Sequence, residues 1–386
     1  MPWKATTPMS ERLKFVLQIL EHGERVTDMC KEYGISRKTG HKYLKAYKEH
    51  GPAALYDASR KPDSSPHRTP PETAALLVKA RKRHPTWGPK KLGAWLKAKH
   101  EGIVLPSSST IGEILKREGL VRPRRQRKRT TPIQSGPLTQ PTKPNEVWAV
   151  DFKGQFRLGN GGLCYPLTIT DVYSRYLVAC VGLEGTEWAP AKLVFEEVFQ
   201  DYGLPEVIRS DNGTPFASVG LAGLSRLSSW WRVLGVRPER IERGAPEQNG
   251  QHERMHRTLK AETTRPAGVT LLQQQERFDR FREEFNQERP HEGIGLKTPG
   301  SIYAASPRPY PSKLPVLVYP LHDAVRRVSH KGEIRMWGRR VFVSESLADH
   351  RVGLRELDDD RWLLSFDDLD LGTLDATTGR LTCEVG

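Results

Sequence analysis

Apolar residues recur at helical spacing through the first fifty positions and predict three short helices there. The first helix carries Phe15, and the second covers residues 26–33. Gly34 makes a tight turn, after which Ser36 is placed to cap the third helix. This is the layout of a helix-turn-helix, in which the second helix of the motif enters the major groove of DNA. We therefore assign residues 1–56 to a helix-turn-helix DNA-binding domain.

The third predicted helix has a basic face around its apolar residues. The candidate DNA-binding side chains on this face are Arg37, Lys38, His41, Lys42 and Lys45. A small helical bundle with a solvated basic face is the alternative. The turn glycine and the clustered charge favour DNA binding.

A second helical unit follows a linker at residues 57–71 that is rich in proline, serine and charge. Helical patterns at 72–83 and 89–100, with a capping box at 110–113, predict a second helix-turn-helix-like DNA-binding domain over residues 72–121. Residues 122–144 form a basic linker arm that cannot bury a core. The cations of this arm, predicted to follow DNA phosphates, are Arg122, Arg124, Arg125, Arg127, Lys128 and Arg129. A purely solvated linker is the alternative.

From residue 145 the pattern changes to strands that alternate with helices, which is typical of an α/β domain. Strands are predicted at 147–156 and 207–210, with a hairpin of 164–169 and 176–181. Helices are predicted at 221–234, 249–263 and 271–287. Short β-like runs over residues 306–386 predict a small β-barrel. The predicted fold class is therefore multidomain, with N-terminal all-α units, a mixed-sheet α/β core over 145–305 and a C-terminal β-barrel.

The positive charge of the chain is concentrated at its N-terminal end. The formal net charge is +15 over 386 residues. Residues 1–144 hold 30 basic and 12 acidic side chains, whereas residues 310–386 hold 11 basic and 13 acidic ones. A cationic N-terminal third on a near-neutral remainder indicates a polyanion-binding module, and nucleic acid is the natural polyanion.

The cysteine content and the hydropathy of the sequence indicate where in the cell the protein is expected. The four cysteines, at positions 30, 164, 180 and 383, include no C-x-x-C pair. This argues against a disulfide framework and against a cysteine-rich zinc module. No apolar run approaches membrane-spanning length, and the start has no apolar signal segment. We expect a cytoplasmic protein with no membrane partner.

Three acidic residues stand where an ionised carboxylate is costly unless it is paired or binds a metal. Asp151 interrupts an apolar strand, Asp211 ends another strand, and Glu253 lies in a basic helical stretch. If the fold brings them together, their oxygens form a divalent-metal site for phosphoryl transfer. Asp171 is a fourth candidate, but its position in a hairpin turn favours local hydrogen bonds instead.

The stretch from His252 to His256 also matches H-E-x-x-H, the helix of zinc proteases. Taken alone, it offers two zinc ligands and a general base. Gly250 and the dense arginine and lysine make a poor buried protease helix, and this reading leaves Asp151 and Asp211 without a role. Tightly held stoichiometric zinc would favour the protease alternative.

Residues 145–305 resemble the integrase core of the DDE transposases, a ribonuclease-H-like domain shared with retroviral integrases. The similar stretches are WAVDF at 148–152, TITDVYSRY at 168–176, SDNGTPF at 210–216, PEQNG at 246–250, HER at 252–254, HRTLK at 256–260 and RPHE at 289–292. Several separate motifs in the expected order are far more specific than any one of them. With two DNA-binding units ahead of this core, the whole chain resembles an insertion-sequence transposase.

The resemblance implies that Asp151, Asp211 and Glu253 are the catalytic ligands of Mg²⁺ or Mn²⁺, with two ions per site. His256, Arg257 and Lys260 recur along the helix of Glu253 and would face the DNA backbone. The implied reaction cleaves DNA at the terminal inverted repeats of a mobile element and joins the freed 3′-hydroxyls to target DNA. The resemblance also implies double-stranded DNA as the partner, at least a dimer on that DNA, and a bacterial nucleoid-associated location.

Two alternatives from other classes stay open at this point. A catalytically silent, transposase-derived DNA-binding regulator would have lost a carboxylate of the triad, and none is missing. A serine or tyrosine recombinase would need a covalent nucleophile, to which no site points. The 42 positions between Asp211 and Glu253 exceed the interval that the family often shows, and we attribute the excess to an insertion over residues 219–234.

Overall fold

The structure is a computed structural model that describes residues 7–57, 68–121, 138–218, 220–242 and 246–382. It divides into two compact units, one ending at Arg68 and the other beginning at Thr69. Most of the predicted basic arm lies outside the described residues. All six candidate cations of the arm lie outside them: Arg122, Arg124, Arg125, Arg127, Lys128 and Arg129.

The described part of the first unit is helical. It holds α1 (Pro8–Leu20), α2 (Val26–Glu32), α3 (Arg37–His50) and a 3₁₀ turn at Pro52–Leu55. The predicted cap is confirmed, because the Ser36 side chain accepts a hydrogen bond from the backbone N–H of Thr39. Gly34 adopts a left-handed φ of 63° in the turn between α2 and α3, which favours glycine. The helix-turn-helix pattern read from the sequence is thus present in the structure.

A close helix crossing shapes the core of this unit. Phe15, Cys30 and Leu44 are buried together between the helices. A Cβ added at Gly40 of α3 would lie 2.5 Å from the Sγ atom of Cys30 and 3.0 Å from the ring of Phe15. The approach of α3 to α1 and α2 therefore requires a glycine at this position.

The second unit begins with three more helices, α4 (Pro71–Arg83), α5 (Pro89–Lys99) and α6 (Ser108–Arg117). They enclose a core that includes the buried side chains of Trp87 and Trp95. The predicted capping box at residues 110–113 is wrong. The N-cap is Ser107, whose side chain accepts a hydrogen bond from the backbone N–H of Thr110, so α6 begins earlier than the pattern suggested.

The mixed sheet predicted for the central region is confirmed. The described strands of this sheet are β1 (Val147–Phe152), β2 (Phe156–Arg157), β3 (Leu163–Asp171), β4 (Leu177–Leu183), β5 (Val207–Ser210) and β6 (Arg237–Arg240). The order across the sheet is β4-β3-β1-β5-β6, with the short β2 beside β3. Strands β4, β3 and β1 pair antiparallel, and β1, β5 and β6 pair parallel.

Helices cover both faces of this sheet. They are α7 (Trp188–Tyr202), α8 (Arg226–Val233), α9 (Gly250–Thr263) and α10 (Leu271–Glu283), the last continued by a π turn at Glu284–Glu288. Helices α7 and α8 pack with Trp148 and Val150 of β1 in the main core. Helices α9 and α10 pack on the other face with Leu177 and Cys180. Alternate residues of β1 therefore point either into the main core or toward α9.

The segment expected to be an insertion belongs to the main core. Trp231 of α8 is fully buried, and its ring lies 5.0 Å from the ring of Phe195 and 6.2 Å from that of Phe216. The helix is also shorter than predicted, because residues 221–223 form a separate 3₁₀ turn and Ser225 caps α8. The helix lies in the connection between the paired strands β5 and β6 and packs into the main core, so it is part of the fold.

The C-terminal region is a sheet rather than the predicted closed barrel. Its described strands are β7 (Ala324–Arg327), β8 (Glu333–Met336), β9 (Arg339–Phe342), β10 (Arg351–Asp358), β11 (Arg361–Phe366), β12 (Leu369–Asp375) and β13 (Leu381–Thr382). One antiparallel sheet runs β13-β12-β11-β10-β7, while β8 and β9 form a separate hairpin. In residues 324–382 no ladder joins β7 to β13, so the barrel does not close. The core of this region is continuous with Leu224 and Val233 near α8.

The helical unit of residues 71–117 contacts the segment that follows α10. The Nδ1 atom of the buried His84 lies 2.7 Å from Oε1 of Glu284, and the guanidinium of Arg289 lies 5.8 Å from the ring of Trp87.

Among the described residues, no helix has the length and apolar character needed to cross a membrane.

Candidate metal centre

Asp151 lies on β1, and Asp211 comes directly after the neighbouring parallel strand β5, in matching register. Ala149 of β1 pairs with Arg209 of β5, and Asp151 and Asp211 each follow two positions later. Because side chains alternate along a strand, both aspartates point to the same face of the sheet, and neighbouring strands lie about 4.8 Å apart. Ile208 points into the main core, so Asp151 and Asp211 point toward the other face, where α9 lies.

Helix α9 brings the third carboxylate to this face. Its buried stripe includes Met255 and Leu259, while Glu253 lies at the edge of the stripe and is exposed. Burial and then the negative charge of Asp211 raise the pKa of Asp151 to about 7, and the charge of Glu253 adds to the rise. The charges of Asp211 and Glu253 therefore act on the Asp151 carboxyl, whereas the cluster of potential ligand atoms within 4.8 Å among the described residues is that of Asp151, His252 and His256.

A hydroxyl and two imidazoles pack directly behind Asp151. Thr168, the partner of Asp151 across β1 and β3, has its Oγ1 atom 2.7 Å from Nε2 of His252 and 2.7 Å from Nε2 of His256. The Oγ1 atom of Thr170 lies 3.0 Å from Nδ1 of His252. The other ring nitrogen of His256, Nδ1, lies 3.5 Å from Oδ2 of Asp151. These contacts form a continuous chain from Thr170 to the Asp151 carboxylate.

The protonation of the two imidazole rings determines which group donates in each hydrogen bond of this series. Burial lowers the pKa of His252 to about 3 and also lowers the pKa of His256, so both rings are neutral, with one donor and one acceptor each. If Thr170 donates to His252 and His252 donates to Thr168, then Thr168 can donate to His256. This arrangement leaves the Nδ1–H of His256 directed at the Asp151 carboxylate. The backbone oxygen of Asp151, 3.1 Å from Thr168 Oγ1, is a second acceptor within reach.

The two histidines of the H-E-x-x-H stretch do come together. One ligand atom from each of Asp151, His252 and His256 lies within 4.8 Å of the others, a spacing that could hold a metal ion. However, both Nε2 atoms are directed at the Thr168 hydroxyl, and both rings are buried. A zinc ion bound by these rings would have to displace that hydroxyl, so the arrangement favours a role for the histidines behind Asp151.

Asp171 has the local role that its turn position predicted. Its carboxylate is fully buried and accepts hydrogen bonds from the backbone N–H of Asn145 at 2.8 Å and of Ser174 at 2.7 Å. The Ser174 hydroxyl donates a third bond at 2.5 Å. Burial raises the pKa of Asp171, and these three donors oppose that rise. With its oxygens occupied in this way, Asp171 is a structural residue of the β3–β4 turn.

The candidate DNA-binding side chains differ in their exposure. Those on α3 are all exposed and follow one another along one side of the helix: Arg37, Lys38, His41, Lys42 and Lys45. Arg257 and Lys260 of α9 are exposed as well. The prediction that His256 faces the DNA backbone is wrong, because its ring is buried against Thr168 and cannot lie along a DNA backbone. Its i+3 spacing from Glu253 placed it on the edge of the buried stripe.

Sequence reasoning missed four residues at this site. Lys153 comes directly after the end of β1, and its charge lowers the pKa of the Asp151 carboxyl. Thr168, Thr170 and His252 form the chain behind that carboxylate. The available signal was the pair of threonines at alternate positions of an apolar strand, which places two hydroxyls on one buried face.

The donor set fits a hard divalent cation. Carboxylate oxygens are the ligands that Mg²⁺ and Mn²⁺ prefer. The charge of Lys153 opposes the repulsion that Asp211 and Glu253 exert on Asp151, yet the pKa of Asp151 stays raised at about 7. A bound divalent cation would remove that repulsion.

Models of known protein families match most of this chain in separate segments. A helix-turn-helix domain matches residues 11–62, and a homeodomain-like domain matches residues 39–115. Two integrase core domain models match residues 141–246 and 234–299. The integrase core matches together cover the three carboxylates and the whole central sheet.

Curated relatives fall into two groups. The Gag-Pol polyprotein of Baboon endogenous virus (strain M7) is 33% identical over 135 residues, which are 35% of this chain and 7% of the polyprotein. The insertion element IS407 uncharacterized 31.7 kDa protein of Burkholderia multivorans is 26% identical over 243 residues, which are 63% of this chain and 84% of that protein. The chain thus spans less than a tenth of the first viral polyprotein that it matches.

The solved structures have lower sequence identity to this chain than the curated relatives do. The HTLV-2 integrase catalytic core domain in complex with magnesium aligns with a TM-score of 0.35 and 15% identity over 43% of this chain and 100% of that chain. A TM-score of this size is too low to establish a shared fold.

Proposed function

We propose that this chain, which matches integrase core domain models and is similar to an insertion-element protein, cuts and joins DNA with a divalent-metal centre. The observation that carries the proposal is the register of β1 with β5, which gives Asp151 and Asp211 matching positions, and it is supported by the rise in the pKa of Asp151 that burial and then the charges of Asp211 and Glu253 cause. We assign the three carboxylates as ligands of Mg²⁺ or Mn²⁺, with two ions per active site. Bound there, such ions activate an attacking oxygen and offset the charge that develops on a phosphodiester.

The reaction proceeds in two displacements. Water attacks a phosphodiester at the end of the element, one P–O bond forms as another breaks, and a 3′-hydroxyl leaves. That hydroxyl then attacks a phosphodiester of the target DNA and displaces a second 3′-oxygen. Neither step forms a covalent bond to the protein, which agrees with a site made of carboxylates.

The residues around the carboxylates hold the reactants in place. His256 orients Asp151 through its Nδ1–H, and the chain of hydroxyls and rings behind it fixes the tautomer of that histidine. Arg257 and Lys260 lie exposed on the same helix as Glu253 and would contact the phosphates on either side of the cleaved bond.

The N-terminal helical units deliver the DNA to this centre. We propose that the exposed cations of α3 contact the terminal inverted repeats, with residues 1–56 and 72–121 as two DNA-binding domains and residues 122–144 as a basic arm between the second of these and the core. Two element ends must be held together for joining, so the active form is at least a dimer on double-stranded DNA. Binding will weaken steeply as salt rises, because contacts to phosphates release counterions.

The test uses duplexes made from the DNA that flanks the gene for this chain. With Mg²⁺ present, the wild-type chain should nick these ends and transfer them to a second duplex. Asp211→Asn should bind the ends with unchanged affinity but neither cleave nor transfer them. The exposed Asp201 of α7 provides a control, because Asp201→Asn should keep all three activities. Undiminished nicking by Asp211→Asn would refute the assignment, and specific binding without cleavage by the wild type would favour the silent regulator.

A further inference from the structure

A cavity of about 410 Å³ lies beside α9, and its lining includes Thr170, which also contacts His252 behind the metal centre. It is bordered by the side of α9 that carries Gln251, Arg254 and Thr258, residues spaced three and four apart. Glu253 and Lys260 recur seven apart along a different side of the same helix. The cavity and the carboxylates therefore face different sides of α9.

Cations from four separate parts of the chain meet at this cavity. They are Lys91 of α5, Arg175 of the β3–β4 turn, Arg254 of α9 and Arg289 after α10. Burial and then the charge of Arg289 lower the pKa of Lys91 to about 8. Burial and then the charge of Arg254 lower the pKa of Arg175. These shifts mean that Lys91 and Arg289 are near enough to repel each other, and that Arg175 and Arg254 are as well.

The carboxylates at the cavity are committed to other partners. Both oxygens of Asp171 accept hydrogen bonds from Asn145 and Ser174. Glu292 has an oxygen 3.6 Å from Nζ of Lys90. Asp171 nevertheless acts on Arg175, and Glu292 and Glu262 act on Lys91, so the four cations meet three carboxylates and a positive charge remains.

Arg175 has an unused donor at this cavity. Its Nη1 atom is buried and has no hydrogen-bond partner among the described residues. Arg289, by contrast, bonds Glu262 at 3.0 Å and stacks over Trp87. A buried guanidinium N–H without an acceptor is costly, so the missing acceptor is expected to come from a ligand.

We propose that this cavity binds a phosphate group. Guanidinium groups form paired, charge-assisted hydrogen bonds with phosphate oxygens, and Arg175 and Arg254 are placed to supply them. The volume falls in the range of about 300–1,000 Å³ that is usual for small-ligand sites, so it admits a phosphate with part of an attached sugar. The phosphate can come from the backbone of bound DNA or from a free phosphate ion. A DNA source rests on the proposed function, whereas affinity for the phosphate group itself does not.

The first arm of the test measures binding of inorganic phosphate to the full chain by calorimetry at constant ionic strength. Arg254→Gln changes an exposed side chain, so folding should be unaffected, and Arg175→Gln removes the unpaired donor. Each variant should weaken phosphate binding about tenfold or more, the usual effect of losing a hydrogen bond to a charged group. Arg280→Gln is the matched control, because Arg280 is exposed on α10 and pairs with Glu276 away from the cavity. Equal phosphate binding by all four proteins would overturn the proposal.

The second arm repeats the titration with a saturating 20-base-pair duplex in EDTA, so that no cleavage is involved. If the duplex abolishes phosphate binding, and Arg254→Gln weakens duplex binding where Arg280→Gln does not, the cavity takes a DNA phosphate. If phosphate binds as before, the cavity takes the free ion. A wild type that binds no phosphate, with duplex affinity equal in Arg254→Gln and Arg280→Gln, overturns the proposal. Since no arm measures cleavage, failure here is distinct from failure of the metal centre.

Discussion

Replacing Asp151 by asparagine should stabilise the metal-free protein, although Asp151 is assigned to the active site. The pKa of this carboxyl lies at about 7 instead of its ordinary 3.8, because burial and the charges of Asp211 and Glu253 disfavour the ionised form. The cost of ionisation is absent below pH 3.8, grows as the pH rises, and is complete above about pH 7. Asparagine has nearly the same shape and carries no charge, so it removes this cost.

The magnitude follows from the pKa. A rise from 3.8 to about 7 corresponds to about 4 kcal/mol, at about 1.36 kcal/mol per pKa unit. The Asp151 side chain is 24% exposed, and solvent screening reduces the effect, so we expect about 2 kcal/mol. This corresponds to a rise in Tm of about 3 °C for the unit Thr69–Gly386, at about 2.1 cal/mol/K of unfolding entropy per residue.

The assay is thermal unfolding at pH 8, in EDTA and in Mg²⁺. Asp151→Asn should unfold at a higher temperature than the wild type in EDTA, and Mg²⁺ should stabilise the wild type more than the variant. Asp171→Asn is the matched control, because an amide would place a donor against the donors that bond Asp171. The control should lose about 1–3 kcal/mol in both buffers. A variant Asp151→Asn that is less stable than the wild type in EDTA, or that gains equally from Mg²⁺, would refute the reasoning.

Three further predictions concern other parts of the molecule. His256→Phe should lower the rate of DNA cleavage about 10- to 100-fold, because the His256 ring orients Asp151. DNA affinity in a filter-binding assay should not change, because the ring does not touch DNA. An equal loss of cleavage and of affinity would contradict this role. Lys42→Gln should lower the salt dependence of DNA binding by about one ion, measured as the slope of log affinity against log salt, whereas the α1 control Lys14→Gln should not. Gly40→Ala should cost about 1–3 kcal/mol in urea unfolding, because the new methyl would meet Cys30 Sγ at 2.5 Å. Gly93→Ala, also in a helix but 3.4 Å from a flexible isoleucine end, should be neutral or stabilising.

Local signals predicted the helices and their caps well. Ser36 caps α3 through its own side chain, and the left-handed Gly34 forms the turn, so neighbouring residues alone determine this start. The exact start of α6 was missed because Ser107 and Thr110 are both competent caps. The order of the sheet could be expected only through the family resemblance, since pairing of β1 with β5 joins residues about 60 positions apart.

The features that were predicted wrongly depend on contacts between residues far apart in the sequence. The His256 ring meets Thr168 across 88 positions of the chain, and helical spacing alone leaves open which side of α9 is buried. A barrel closes only if its first and last strands pair. The alternation of apolar and polar residues along the strands is the same in an open sheet, so it does not predict closure. Trp231 was assigned to an insertion because the interval between Asp211 and Glu253 is wide, yet it packs in the main core.

The most direct test of the metal centre is the position of bound Mn²⁺ in crystals of the full chain, located by anomalous scattering. The account predicts manganese held by oxygens of Asp151, Asp211 and Glu253, with the Nε2 atoms of His252 and His256 still bonded to Thr168. Manganese held by the two imidazoles, or none near Asp211 and Glu253, would contradict it.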